Sequence, residues 1–400
     1  MSLERIWIDV TTLLGWRRPP IGIIRTEMEC ARFALKDLSS RLRFCRYSNL
    51  NGFEEVEPRI IRSHIGRIRS GRIERDVCFE QQAIKKNFSP FGVGYVYVSM
   101  GFDWEDMNLV VLGHIKKETQ LKVILTCYDT IPVKFPHLCV RLDREDPAGE
   151  FANYFCAVAG VADCVLCVSD RTQQDLRELL EWKGAPLPVM RRIELGSDFL
   201  AEEELGLSQS VRGLIAEPFL LFVSSIERRK NHEVLDRAYL RLLQQSDIEC
   251  PRLVFAGMKG WGVSDLLNDL RLDGRVKDRL VVLDDVDDTS LHALYRRCAF
   301  TLFPSWYEGW GLAISESLSH GKFCLASPVG AIPEVGMDFI DYVDPDDAAE
   351  WVRKIRSYLV DPSAVREREE HIRLKYVAPR WEDTFERILA VAQEVSVRPT

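Results

Sequence analysis

The feature that most constrains this chain is an alternation of short apolar runs with helical patterns, repeated in two series. The first series passes through "RIWIDV", "YVYVS", "KVILTCYD" and "CVLCVS". The second passes through "PFLLFVSS", "RLVFAG", "RLVVLDD", "FTLFPS" and "KFCLAS". Such runs read as buried strands, and their alternation with amphipathic helices predicts parallel sheets covered by helices on both faces. A length of 400 residues predicts two domains, because single cores stop growing well below that size. Between the series, "LGSDFLAEEELGLSQSVRGLIAEP" is acidic and lacks a strong period, which places an interdomain linker near residues 197–217. The expected fold class is α/β, with two doubly wound Rossmann-like domains, 1–200 and 201–380, facing across a cleft. Ligands of such sheets bind beyond the carboxyl ends of the strands, so site residues are sought just after strands.

Composition narrows the function classes. A net charge of -8 argues against a general nucleic-acid binder, which would be basic. No apolar run reaches the roughly 18 residues of a membrane span, and "MSLERIWIDV" lacks the charged and apolar regions of a signal peptide. A cytoplasmic protein is the expectation. Eleven cysteines are scattered through apolar runs. Cys164 and Cys167 form a C-x-x-C inside a strand-like run, where residues three apart face opposite sides, and no second pair stands at zinc spacing. They read as reduced, buried thiols.

Two strand–turn–helix segments carry the chemistry. In "FTLFPSWYEGWGLAISESLSHGK" the loop holds Glu308, Gly309, Trp310 and Gly311, and the helix opens at Leu312 with Glu316 in its early turns. The glycines admit close backbone approach, and a helix start with unpaired N–H groups favours a phosphate. Carboxylates at 308 and 316 can accept hydrogen bonds from sugar hydroxyls. The spacing alone fits a capped helix with a glycine loop equally well. The tie is broken by "LLFVSSIERRKNHEVL", where Arg228, Arg229 and Lys230 crowd a turn at the start of the second series. Taken singly, three basic residues are a solvated surface. Taken with the glutamate motif, they read as a phosphate grip, since a fixed Arg and Lys can neutralise a leaving diphosphate.

Together these segments resemble family 4 of the retaining glycosyltransferases, which have the GT-B fold. "EGWGLAISES" is similar to that family's E-x7-E signature. "SSIERRKNH", "SPVGAIPEVGMDFIDYVDPDD", "CYDTIP", "CVSDRTQQDL" and "IELGSD" resemble its other segments in the same order. "RIWIDVTTLLGWRRPPIGIIRTE" and "FAGMKGWGVSDLL" look closest to bacterial mannosyltransferases of surface polysaccharides. The resemblance implies that Glu308 contacts donor-sugar hydroxyls and that Gly309, Trp310, Gly311 and Leu312 line the sugar and diphosphate through their backbone. Glu316 would hold the ribose, and Arg229 and Lys230 would face the diphosphate. Gly22 would let the first domain approach the phosphates, Asp129 would lie near the reacting sugar or acceptor, and the loop at Val286 would lie near the nucleobase. The terminal helix over 381–400 would pack back on the first domain. Ser224-Ser225 stands where the family often has Gly-Arg or Gly-Thr, and Tyr128-Asp129 where a His-Asp pair is common.

The implied reaction moves a hexose, mannose from GDP-mannose by preference, to a hydroxyl of a polysaccharide or lipid-linked glycan with retention at the anomeric carbon. No cofactor and no divalent metal are expected. A rhamnosyl or other hexosyl transferase, a sugar-nucleotide epimerase of the same fold and an inactive nucleotide-sugar-binding module remain alternatives. Asp285-Val286-Asp287 is formally a D-x-D, but it runs into a helix and reads as an acidic helix start. The basic stretch 57–76 carries Ile61, Ile65 and Ile68 on one helical face. It reads as a surface helix over the first sheet or as a peripheral contact with anionic lipid. His137 reads as a loop histidine, His232 as a helix-start residue, and the tryptophans, Trp16, Trp104 and Trp261 among them, as packing residues.

Overall fold

A computed structural model describes residues 5–37, 41–69, 89–102, 108–139, 146–198, 207, 209–245, 247–260, 262–277, 279–284 and 286–397. Trp104, Trp261, Asp285 and residues 70–76 of the basic stretch lie outside these. The chain divides into two compact units. The first comprises Met1–Thr130, Gly149–Gly196 and Pro379–Thr400, and the second Ile131–Ala148 and Ser197–Ala378.

The first unit is built on a seven-stranded sheet. Its strands are β1 (Ile6–Asp9), β2 (Leu42–Ser48), β3 (Gly52–Glu55), β4 (Val96–Val98), β5 (Lys122–Cys127), β6 (Cys164–Cys167) and β7 (Val189–Arg192). Their order is β3-β2-β1-β4-β5-β6-β7. The pairs from β2 to β7 are parallel, as the alternation predicts. The exception is edge strand β3, which runs antiparallel to β2. "SNLNGF" makes a tight reversal there, with Gly52 at φ 70°. β2 mixes buried and half-exposed positions, so it lacks the continuous apolar run that marks the inner strands. Phe53 joins Tyr47, Phe91 and Tyr97 in an aromatic cluster under this edge. Cys164 and Cys167 are both buried thiols in β6.

Two helices of this unit bear on sequence expectations. The Trp381–Ser396 helix packs on the Gly22–Ala34 helix, with Phe385 stacked on Phe33 at 6.3 Å. Thr384 Oγ1 donates to the Glu194 carbonyl at 2.7 Å. In the Pro58–Arg69 helix, Ile61, Ile65 and Ile68 are buried together with His64, which meets the Leu13 carbonyl at 2.7 Å. That apolar face belongs to the protein interior, and only the arginine-bearing face, at Arg59 and Arg62, is exposed.

The second unit has six strands: β8 (Phe219–Val223), β9 (Arg252–Ala256), β10 (Leu280–Leu283), β11 (Thr301–Phe303), β12 (Cys324–Ala326) and β13 (Asp341–Tyr342). The order is β10-β9-β8-β11-β12-β13, and every pairing is parallel. The strand order reverses between β8 and β11, and the crevice outside such a reversal is where doubly wound sheets take ligands. Of the stretch 197–217, where composition places the linker, residues 199–206 and 208 lie outside the described residues. Leu207, Val211 and Leu214 are buried with Phe219, Leu221, Val254 and Leu294 in one core cluster. Their burial anchors the Gln209–Leu214 helix in this unit despite the acidic residues upstream.

Candidate functional site

The two segments singled out in the sequence follow the two strands that flank the reversal. After β8 the chain makes a short 3-10 turn at Arg228–Lys230, ended by Asn231 in the left-handed region at φ 57°. Asn231 tolerates that conformation and is locked by its side chain, whose amide donates to the carbonyls of Pro304 at 3.2 Å and Pro345 at 2.9 Å. After β11 the loop 304–311 leads into the Leu312–Ser319 helix. The loops are stitched by a backbone bond from Trp306 N–H to the Arg229 carbonyl at 2.9 Å.

At their meeting point Glu308 receives both cations. Lys230 Nζ lies 2.7 Å and Arg229 Nη1 2.8 Å from Glu308 Oε1. Arg229 Nη1 also donates to the Tyr307 carbonyl at 2.9 Å, and Nη2 meets Glu227 Oε2 at 3.3 Å. Glu227 is held in turn by Ser225 Oγ at 2.7 Å. Burial alone would raise the Glu308 carboxyl. Arg229 and Lys230 outweigh it and hold the group down to about 2. Burial, with Arg229 alongside, pulls the Lys230 ammonium below its ordinary range, and Glu308 opposes that shift. The result is a buried carboxylate with two cations on one oxygen, at the switch point of a doubly wound sheet.

Glu308 does not cap the following helix. The N-cap is Gly311, at φ 113°, and no side chain caps it. The helix start is therefore open to an anion in the way the glycine loop suggests. Trp310 is buried between the two glycines. Gly330 explains why the loop is rigid. It sits at φ 57°, and a Cβ there would lie 2.3 Å from the Glu308 carbonyl oxygen, while Ala331 N–H donates to that same oxygen at 2.9 Å. Glu308 is thus pinned through its backbone by a loop 22 residues downstream. The available signal in the sequence is a glycine in a loop after a strand.

Glu316 is buried one to two turns into the helix, and its Oε2 accepts from Tyr295 Oη at 3.0 Å. Val286 packs its side chain on the core cluster, leaving its backbone as the part a ligand could meet. Asp287 is used as the N-cap of the Asp288–Arg297 helix, accepting from Ser290 N–H at 2.7 Å, which matches an acidic helix start. His232 is wedged between Phe222 and Phe255, at 4.6 and 4.8 Å, and its burial holds the ring neutral, down to about 3. His137 is exposed in a short turn.

Gly22 and Asp129 belong to the first unit. Gly22 opens its helix at φ 41°, a left-handed position suited to glycine. Asp129 follows β5, beside Tyr128, whose hydroxyl donates to the Met100 carbonyl at 2.8 Å. The second unit therefore gathers Arg229, Lys230 and Glu308 into direct contact and sets Glu316 on the adjoining helix.

Comparison with known proteins bears on this arrangement. Residues 213–376 match the family described as "Glycosyl transferases group 1". The chain is 26% identical over 299 residues to the serotype-specific mannosyltransferase WbdA of Escherichia coli, covering 70% of this chain and 35% of that protein. It is 30% identical over 205 residues to the O-antigen chain mannosyltransferase B of Escherichia coli, covering 50% of this chain and 53% of that one. This chain thus spans only about a third to a half of these relatives. Among solved structures, sucrose-phosphate synthase from Thermosynechococcus elongatus aligns with a TM-score of 0.64 at 18% identity, covering 98% of this chain and 99% of that one. HepE from Anabaena, in complex with UDP and glucose, aligns with a TM-score of 0.63 at 13% identity, again over 98% and 99% of the two chains. These likenesses show the fold, which is GT-B.

Proposed function

We propose that this chain, whose residues 213–376 match the group 1 glycosyl transferases, moves a hexose from a nucleoside diphosphate to a glycan hydroxyl with retention at the anomeric carbon. The observation that carries this reading is the contact of Arg229 and Lys230 with Glu308 at the β8/β11 crevice. Two cations and an uncapped helix start form a preorganised positive site for a diphosphate. A carboxylate held ionised beside them accepts hydrogen bonds from sugar hydroxyls. As the diphosphate arrives it competes with Glu308 for Lys230 and Arg229, and the carboxylate turns toward the hexose. As the glycosidic bond breaks, negative charge grows on the leaving phosphate, where those cations stabilise it. The leaving phosphate takes the proton of the acceptor hydroxyl on the same face, so retention needs no side-chain nucleophile. No divalent metal is invoked in this reading. Glu316 holds the ribose, and the backbone at Val286 meets the base.

Mannose from GDP-mannose is the favoured donor, because the Escherichia coli relatives are named mannosyltransferases. The acceptor is a polysaccharide or lipid-linked glycan, reached from the cytoplasmic side. Among the described residues no helix is long and apolar enough to cross a membrane. The exposed arginines of the Pro58–Arg69 helix suit a peripheral contact with anionic lipid.

A panel of GDP-, UDP-, dTDP- and ADP-sugars tests the reading. Binding to the folded state raises the unfolding temperature by mass action. GDP-mannose is expected to give the largest rise. The purified protein should then release GDP from it only when a glycan acceptor is present. A larger rise with another base would replace the donor, and an epimer formed without acceptor would replace the reaction.

A further inference from the structure

The carboxylate assigned to the ribose is not held by its own helix alone. Tyr295, on the Asp288–Arg297 helix, is fully buried, and its hydroxyl reaches Glu316 Oε2 at 3.0 Å and the Ala313 carbonyl at 3.2 Å. One proton is shared between the Glu316 carboxyl oxygen and the Ala313 carbonyl, the Glu316 contact being the shorter. Burial and the adjacent Glu316 push the phenol well above its ordinary range, so it remains a donor at every working pH. The ring is seated from below. His320, at the end of the Leu312–Ser319 helix, stacks on it at 4.9 Å with an interplanar angle of 23°.

His320 is fixed at both nitrogens. Its Nδ1 lies 2.7 Å from the Glu316 carbonyl, which can only accept, so Nδ1 carries the proton. The neutral ring then accepts at Nε2 from His292 Nδ1, 2.8 Å away. The charged groups acting on this ring are Arg296 on the helix that carries His292 and Tyr295, and Lys322 in the turn that follows. Lys322 is itself paired with Glu369 at 3.1 Å. Burial is the main reason that His320 stays neutral, down to about 4. One residue, Glu316, is thus held twice: through its carboxylate by Tyr295, and through its backbone by the histidine that supports Tyr295.

We infer that Tyr295, braced by the His320–His292 pair, is a positioning residue that fixes the Glu316 carboxylate for the ribose hydroxyls of the donor. The inference rests on the ribose role proposed above for Glu316. Nothing in the sequence motif points to Tyr295, which lies 21 residues before the glutamate it holds.

The test uses the full chain and six titrations by calorimetry: GDP and 2′,3′-dideoxy-GDP, each into Tyr295→Phe, Glu316→Gln and the unaltered protein. UDP and its dideoxy form replace them if UDP binds more tightly. Tyr295→Phe keeps the ring and its stacking and removes only the donor. It is expected to weaken GDP by about fivefold, within the range for one ordinary hydrogen bond, and to leave the dideoxy nucleotide unchanged. In turnover, KM for the nucleotide sugar should rise while kcat stays within about twofold. The ratio of the two nucleotide affinities is independent of the folded fraction, so a loss of stability cannot mimic the effect. If Glu316→Gln abolishes the preference for GDP but Tyr295→Phe retains it, the role of Tyr295 is overturned and that of Glu316 stands. If Glu316→Gln retains the preference too, the ribose reading itself falls.

Discussion

The two units share a reversal of strand order, between β1 and β4 in the first and between β8 and β11 in the second, yet they spend their polar groups there differently. At the first, the bonds are short and run from backbone N–H groups or a phenol to side-chain oxygens. Asp9 accepts from Thr11 N–H at 2.7 Å and from Tyr97 Oη at 2.9 Å, and Thr12 Oγ1 accepts from Phe102 N–H at 2.7 Å. Gly101 closes the approach, since a Cβ there would lie 2.4 Å from Thr12 Oγ1. At the second, the loops are joined by Arg229, Lys230 and Glu308. A backbone amide bound to a hydroxyl cannot be surrendered without moving the loop. A lysine bound to a carboxylate can exchange it for a phosphate oxygen at little structural cost. The same topology is thus tied by fixed bonds in one unit and makes an exchangeable crevice in the other.

The sharpest way to break this comparison is to remove the shared anion. Glu308→Ala leaves two half-buried cations without their shared anion, Arg229 keeping Glu227, and breaking a buried pair in this way costs up to about 3–5 kcal/mol. Urea unfolding should show a loss of that order, along with loss of turnover. Wild-type stability would mean that the ion pairs contribute nothing.

Acid should separate the units more gently. His64 in the first unit and His232 in the second are held neutral by burial, at about 4 and about 3, against an ordinary 6.5. Below 6.5 the unfolded chain binds protons that the folded chain does not, so stability falls as pH drops through that window. The fall is at most about 1.4 kcal/mol per pH unit for each histidine. Glu308 runs lower. Its stabilising effect is complete above 4.5 and is lost as pH falls towards about 2. Unfolding temperatures should therefore decline from pH 6.5 to 4.5 in both the native protein and Glu308→Gln, and the native protein should lose its advantage only below that. An advantage that disappears by pH 6 would contradict the low Glu308 value.

The smallest effect sharpens the comparison from the other side. Thr12→Val strips Phe102 N–H of its acceptor and should cost about 1–3 kcal/mol. Nucleotide affinity should be unchanged. A parallel loss of affinity would show that the first crevice also takes part in donor binding.

How much of this was legible follows from where the signals lie along the chain. The inner strands announce themselves because both faces are buried and the apolar runs are continuous, as in "KVILTC" and "FLLFV". β2, β3 and the two-residue β13 do not, because edge positions carry charges and short strands leave no pattern. Glu308, Lys230 and Glu316 were each visible as a residue type in a strand–turn–helix context. Their place in one site was inferred by combining the two motifs, but the direct Lys230–Glu308 ion pair was not, since the two residues are 78 positions apart. Gly330 and Tyr295 were missed for the same reason: each acts on a glutamate through space, and neither carries a local pattern. The membership of Ile131–Ala148 in the second unit likewise depends on contacts that no local sequence signal encodes.

Turnover by Lys230→Ala tests the exchangeable crevice most directly, because Glu308 keeps Arg229 as a partner and the fold should survive. With the preferred nucleotide sugar and acceptor, kcat should fall by about a hundredfold or more, the usual consequence of losing one preorganised stabilising group, with the unfolding temperature close to native. Turnover near the native rate in a folded Lys230→Ala protein would mean that the diphosphate is held elsewhere, and the account given for this crevice would be wrong.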